Sequence, residues 1–218
     1  METFPVRGVS PYLKKGGSQV IAIIDYGMGN LASVQNAFEK IGCETFVTAD
    51  PDKIVAAERV VLPGVGAFAE AISLLRKQGI DRSLQEVVKR EIPLLGICLG
   101  MQLLFTESYE HGTYKGLNII PGTVEKFVID EKVPHMGWNN IKIRPGSKLF
   151  AGIPTDSFFY FVHSYYVRPE EDTLIAASCQ YGLNFCAAVE KEKVFATQFH
   201  PEKSSDWGLE ILKNFGEV

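Results

Sequence analysis

The 218-residue chain predicts an α/β domain built on a parallel sheet that is covered on both faces. Short continuous apolar runs recur through the first half, as in strands buried on both sides. Each run is followed by a segment whose apolar residues fall three and four apart, the spacing of a helix with one buried face. With 46% hydrophobic and 22% charged residues, the chain is long and apolar enough to bury one sizeable core.

Taken in order, residues 1–18 show no periodicity and lack the apolar centre and cleavage site of a secretory signal. They are read as a disordered extension or a cloning scar, which leaves 19–218 as one domain. Residues 20–25 form the first strand, an apolar run ending in Asp25. Gly27-Met28-Gly29-Asn30 leads into a helix through Leu31, Val34, Ala37, Phe38 and Ile41, stopped by Gly42. Strands follow at 43–48 and 59–62, the latter running into Pro63-Gly64-Val65-Gly66-Ala67-Phe68. Residues 69–78 and 81–90 have helical patterns. Beyond residue 120 the segments at 124–127, 140–143, 157–163, 173–178, 185–190 and 194–199 read as shorter strands, several antiparallel. A helix over 205–215 closes the chain.

The net charge of −4 provides no basic footprint for nucleic acid, and no Lys or Arg cluster reads as a membrane patch. No apolar run approaches a membrane span. Cys43, Cys98, Cys179 and Cys186 lack Cys-x-x-Cys spacing, which argues against a zinc ribbon or a disulfide framework and for a reducing, cytoplasmic compartment.

The stretch 94–105 organises the rest. Leu94, Leu95 and Ile97 read as a buried strand, and from Leu99 good helix formers take over. Cys98 stands at that turn with Gly96 and Gly100 on either side. A side chain presented on a tight strand-to-helix turn needs small neighbours, the logic of the Gly-x-Ser-x-Gly nucleophile turn with sulfur replacing oxygen. The helix start places N–H groups beside the sulfur, which favours the thiolate. The plain alternative is a buried, unreactive cysteine.

A nucleophilic cysteine needs a base. Of the four histidines, His200 is best placed, at the end of the 194–199 strand. Pro201 is expected to keep the backbone extended, so that Glu202 points to the same side and steadies the imidazole, as the acid of a triad does. A rival lies near the start. Gly27-Met28-Gly29-Asn30-Leu31-Ala32 fits the dinucleotide fingerprint, with Asp50 near the place of a ribose-binding acid.

Gly96-Ile97-Cys98-Leu99-Gly100-Met101-Gln102 together with His200-Pro201-Glu202 resembles the class I, or triad, glutamine amidotransferases, and the resemblance runs from Val20 to the C-terminus. Four further stretches, 25–30, 62–68, 134–139 and 161–165, are similar to the branch of glutaminase subunits that serve imidazole glycerol phosphate synthases. They also account for the glycines at 27 and 29 without a dinucleotide. The resemblance implies a flavodoxin-like fold with a central mixed, mostly parallel sheet flanked by helices. It implies that Cys98 attacks the amide of glutamine, that His200 shuttles the proton and that Glu202 orients it, with no cofactor and no metal. The oxyanion hole would be the N–H groups of Val65 and Leu99. Gly64, Gly66, Gln102, Glu110, Ser164 and Tyr165 would hold the substrate. Ammonia would pass to a cyclase partner, a (β/α)8 barrel in a heterodimer, bound through Asn30, Met136, Trp138, Asn139, Tyr160 and Lys203. That partner would turn a ribulosyl-formimino nucleotide (PRFAR) into imidazole glycerol phosphate and AICAR in histidine biosynthesis. A stand-alone cysteine hydrolase, another glutaminase subunit of the superfamily and a dinucleotide-binding module remain open at this point.

Overall fold

The computed structural model describes residues 20–218, so the expectation for residues 1–18 lies outside the described residues. The first half alternates as its apolar runs require. Strand β1 (Val20–Ile24) leads to helix α1 (Leu31–Lys40), then β2 (Glu44–Thr48), a short α2 (Pro51–Ala56) and β3 (Arg59–Gly64). Helices α3 (Phe68–Lys77) and α4 (Ile80–Lys89) follow, then β4 (Leu94–Cys98) and α5 (Leu99–Leu103). Strands β1, β3 and β4 are buried along their whole length, the reason that they read as continuous apolar runs.

The second half is a run of strands: β5 (Phe105–Ser108), β6 (Tyr114–Lys115), β7 (Ile120–Lys126), β8 (His135–Ile143), β9 (Phe158–His163) and β10 (Tyr165–Pro169). Then come β11 (Ile175–Tyr181), β12 (Leu183–Lys191), β13 (Val194–Thr197) and the closing helix α6 (Ser205–Glu217). The main sheet runs β2-β1-β3-β4-β13-β12-β10-β7-β5-β6, and β8, paired with β9, joins it through β11. Its parallel half has the 2-1-3-4 order of flavodoxin-like sheets. One core layer packs Phe68, Leu75, Leu84 and Met101 against the sheet, from α3, α4 and α5. The opposite layer packs Phe38 from α1 and Leu212 and Phe215 from α6. Among the described residues no helix is long and apolar enough to cross a membrane.

Several elements differ from the periodicity. Helix α2 is unforeseen because six residues are too few to show a helical period, although Pro51 at its first position and the Asp50 cap, accepting from the Asp52 N–H at 3.0 Å, are ordinary start signals. That cap also gives Asp50 a structural task in place of the ribose contact. Strands β5 and β10 pair with β7 and show no alternation strong enough to read. Strand β8 begins at His135, ahead of the strand expected from residue 140.

The centre of the sheet is fixed by backbone contact. A Cβ on Gly100 would lie 1.8 Å from the Leu62 carbonyl oxygen, and one on Gly96 would lie 3.0 Å from the Gly100 backbone. Helix α5 therefore rests directly on β3 and β4, with no side chain between. Gly100→Ala is expected to destabilise the fold by about 3 kcal/mol, the upper range for overpacking; urea unfolding of the variant against the parent checks it.

Candidate active site

Cys98 ends β4 with φ 54° and ψ −109°, a left-handed conformation that is uncommon for any residue with a side chain. The turn converts strand to helix within one residue and lifts the thiol toward a cavity of about 400 Å³. Gly64 of β3 is paired beside Cys98, and a Cβ there would meet the Tyr26 hydroxyl at 2.5 Å. Helix α5 has only five residues, so its dipole beside the sulfur is small. A direct donor is present instead: Gln198 Nε2 lies 3.7 Å from Cys98 Sγ.

His200 lines the same cavity. Strand β13 stops at Thr197, and Pro201–Lys203 forms a 3₁₀ turn. The expected extended backbone at Pro201 is thus incorrect. Proline's fixed φ suits the first position of such a turn equally well, and the turn still returns Glu202 beneath the ring. His200 Nδ1 and Glu202 Oε1 are 2.8 Å apart, both side chains buried. The Ser204 hydroxyl donates to the His200 carbonyl at 2.6 Å, and the His200 N–H donates to the Tyr160 carbonyl at 3.0 Å, which together anchor the turn. His200 Nε2 has no partner of hydrogen-bond geometry in the resting site.

Burial pushes the His200 imidazole down, but its interactions with the Cys98 sulfur and the Glu202 carboxylate outweigh burial and raise it from 6.5 to about 10. The residue thus favours its charged form beside an acceptor and a thiol. Because the folded value lies above the unfolded one, this contribution to stability is fully present below the unfolded value. It is lost as pH rises through the folded value.

The remaining wall contains Val65, Gly66, Leu99, Gln102, Glu110, Ser164 and Tyr165, together with His111, Pro134 and His163. Gly64 does not line it: the residue lies behind the wall, packed against Tyr26 and Gly100. Glu110 spends one oxygen on the N–H of Phe68, 2.7 Å away at the start of α3, and keeps the other free of any such bond. Gln102 donates to the Tyr165 carbonyl at 3.1 Å and to Gln198 Oε1 at 3.0 Å, so both amide hydrogens are internal and its carbonyl oxygen is what it can offer a ligand. Leu99 opens α5, where helix geometry leaves the N–H without an internal acceptor.

Gln198 and His163 were not singled out from the sequence. Gln198 lies two residues before His200, at the bend that follows β13, and no local pattern marks it; its role is set by partners on other elements. His163 is buried and stays neutral, with a single ring proton, at neutral pH because burial lowers it to about 3.

Away from the cavity, Met136 (63% exposed) and Trp138 (51% exposed) project from β8, and Trp138 stacks edge-on against Tyr160 of β9 at 6.2 Å. Asn139 is partly buried and donates to the Gln180 carbonyl at 3.1 Å. Asn30 caps α1, accepting from the Ser33 N–H at 3.3 Å, and Lys203 is exposed on the turn after His200. The cap fills the helix start at which a dinucleotide's phosphate would bind. Among the described residues, no group of three or more His, Cys, Asp and Glu side chains is arranged to hold a metal.

The profile of the family described as glutamine amidotransferase class-I matches residues 22–217. The chain is 53% identical over 199 residues to the imidazole glycerol phosphate synthase subunit HisH of Moorella thermoacetica, covering 91% of this chain and 94% of that protein. It is likewise 53% identical over 205 residues to the protein of that name from Geobacter sulfurreducens, covering 91% and 98%. Among solved structures, PurLQS from Thermotoga maritima superposes with a TM-score of 0.73 at 15% identity, covering 91% of this chain and 97% of that chain. One glutamine amidotransferase from Thermotoga maritima gives 0.62 at 17% identity, covering 86% and 77%. These two structural likenesses bear on the fold alone.

Replacing Glu202 by Gln keeps the shape and removes the charge. The His200 titration, followed by NMR of its ring nitrogens, is expected to move down by about one pH unit or more. An unmoved midpoint would mean that Glu202 does not hold the imidazolium.

Proposed function

The chain belongs to the class-I glutamine amidotransferase family, and from that membership we infer that it hydrolyses glutamine as the glutaminase subunit of an imidazole glycerol phosphate synthase in histidine biosynthesis. The observation that carries the chemistry is the His200 ring, bonded through Nδ1 to Glu202, with its Nε2 unengaged beside a cavity shared with Cys98.

In the proposed reaction the Cys98 sulfur attacks the side-chain amide carbon of glutamine, and the carbonyl electron pair moves onto oxygen. The N–H groups of Leu99 and Val65 receive that charge; Val65 lies between Gly64 and Gly66, where peptide planes rotate at low steric cost. Collapse of the intermediate breaks the C–N bond, and His200 gives its Nε2 proton to the departing ammonia. Water then attacks the γ-glutamyl thioester, His200 takes a proton from it, and glutamate leaves. Glu202 keeps the imidazole aligned and steadies its charge throughout.

Gln102 would receive a substrate N–H at its carbonyl oxygen, and Glu110 would hold the α-ammonium with its free oxygen. Ser164 and Tyr165 would bind the carboxylate end, and Gly66, beside Val65 in the cavity wall, would flank the substrate chain. Ammonia is useful only if it reaches a second site before water protonates it. The partner is a (β/α)8-barrel cyclase that forms imidazole glycerol phosphate and AICAR from PRFAR, in the cytoplasm. Exposed Met136 and Trp138 on β8, with Tyr160 paired beside Trp138 on β9, make a face of the aromatic and Met kind that suits an interface core, and Asn30, Asn139 and Lys203 are the polar contacts proposed for the same partner.

Glutamine hydrolysis by the isolated chain is expected to be weak and to rise about 10²–10³-fold with cyclase and its nucleotide, the range for completing one oxyanion donor. Strong unstimulated hydrolysis or peptidase activity would point to a stand-alone hydrolase. Cys98→Ser is expected to abolish turnover in the complex. Trp138→Ala should weaken cyclase binding at least tenfold, measured by titration calorimetry, without lowering the melting temperature of an exposed site.

A further inference from the structure

Four buried polar side chains beside the catalytic residues form one continuous line. Gln198 donates to Cys98 Sγ at 3.7 Å, and Gln102 donates to Gln198 Oε1 at 3.0 Å and to the Tyr165 carbonyl at 3.1 Å. His163 Nδ1 lies 2.8 Å from that same carbonyl, His135 Nδ1 lies 3.1 Å from His163 Nε2, and Asn139 Nδ2 lies 3.3 Å from His135 Nε2. Gln198, Gln102, His163 and His135 are all buried.

A carbonyl oxygen only accepts, and this fixes every direction in the line. Gln102 must turn its NH₂ toward Tyr165, and with the second hydrogen it holds Gln198 Oε1. Gln198 must therefore face the sulfur with N–H and not with oxygen. On the other side His163 must carry its proton on Nδ1, so its Nε2 accepts from His135 Nδ1–H, and His135 Nε2 accepts from Asn139. One backbone carbonyl thus sets the orientation of two glutamines and the tautomer of two histidines.

We propose that Gln198 is a catalytic residue that holds the Cys98 thiolate through its amide N–H, and that His163 is a positioning residue that fixes the Tyr165 carbonyl on which this orientation depends. The proposal rests on the thiol mechanism given above and extends it. An amide free to turn would present oxygen to a sulfur anion half of the time and repel it. The line removes that freedom, and the His135–Asn139 end ties it to β8, the strand that bears Met136 and Trp138.

The test is the rate of Cys98 alkylation by iodoacetamide at pH 7, read at the Cys98 peptide by mass spectrometry in the full chain. Gln198→Leu is expected to slow it about tenfold, the loss of one hydrogen bond to a charged group. Gln198→Glu should slow it at least as much and provides the readout should the leucine variant fail to fold. His163→Leu should slow alkylation in the same direction. His163→Asn, whose amide can still donate to Tyr165, should restore it. An unchanged rate in the folded Gln198 variants, or equal rates in the two His163 variants, overturns the proposal. Alkylation needs no glutamine, so failure of the parent complex to hydrolyse glutamine would sink the glutaminase reading and leave this result to stand or fall alone.

Discussion

The register of β4 between β3 and β13 is the constraint on which the site depends. Gly64 is paired with Cys98 on one side, and Thr197 is paired with Ile97 on the other. The three strands are parallel, so they end at the same edge, and their C-terminal extensions carry Val65, the thiol and His200 within reach of one cavity. Ligands of open α/β sheets bind outside the carboxyl ends of the strands for this reason. A slip of one residue would send the side chains of a strand to the opposite face. The fully buried β3 and β4 prevent it, since neither face of them tolerates a change of partners.

That arrangement concentrates polar groups where they are costly. A buried imidazole and a buried carboxylate each lose solvation, and the 2.8 Å bond between them returns part of the loss. The Cys98 sulfur is the other group that raises the imidazole. Burial lowers His163 and His135, to about 3 and about 4, so both rings next to the site stay neutral at physiological pH. A second positive charge near His200 would oppose its protonation. The neutral histidines therefore protect the charged one.

How much of this was legible in the chain follows from the range of each interaction. The alternation of the first half, the Cys98 turn and the pairing of His200 with Glu202 are local patterns, and the structure places them as residue types and spacing imply. Glu202 arrives by a 3₁₀ turn and not by an extended strand because proline at 201 permits both, and nothing local distinguishes them. Gly64 was expected in the substrate wall, yet its lack of a side chain serves close packing against Tyr26 and Gly100, residues 38 and 36 positions away in sequence. Strand β10 and the Gln198 amide were invisible for the same reason. Their meaning comes from partners on other elements, Gln198 facing the thiol 100 residues before it.

The second half has a task beyond closing the core. Strand alternation along β8 sends Met136 and Trp138 outward and His135 inward. Its pairing with β9 sets Met136 opposite Val162, which lines the cavity, and His135 opposite His163. A protein seated on the outward face would therefore press on a strand whose next residue already bonds His163 in the cavity wall. No loop or hinge intervenes between the two, and hydrogen-bonded strands resist independent movement. A shift of β8 by a fraction of an ångström would be felt first by the imidazole at 135 and then by the one at 163. From there the bonds run to the carbonyl that orients both glutamines, so strand alternation sets the outward face and the thiol at the two ends of one hydrogen-bonded line.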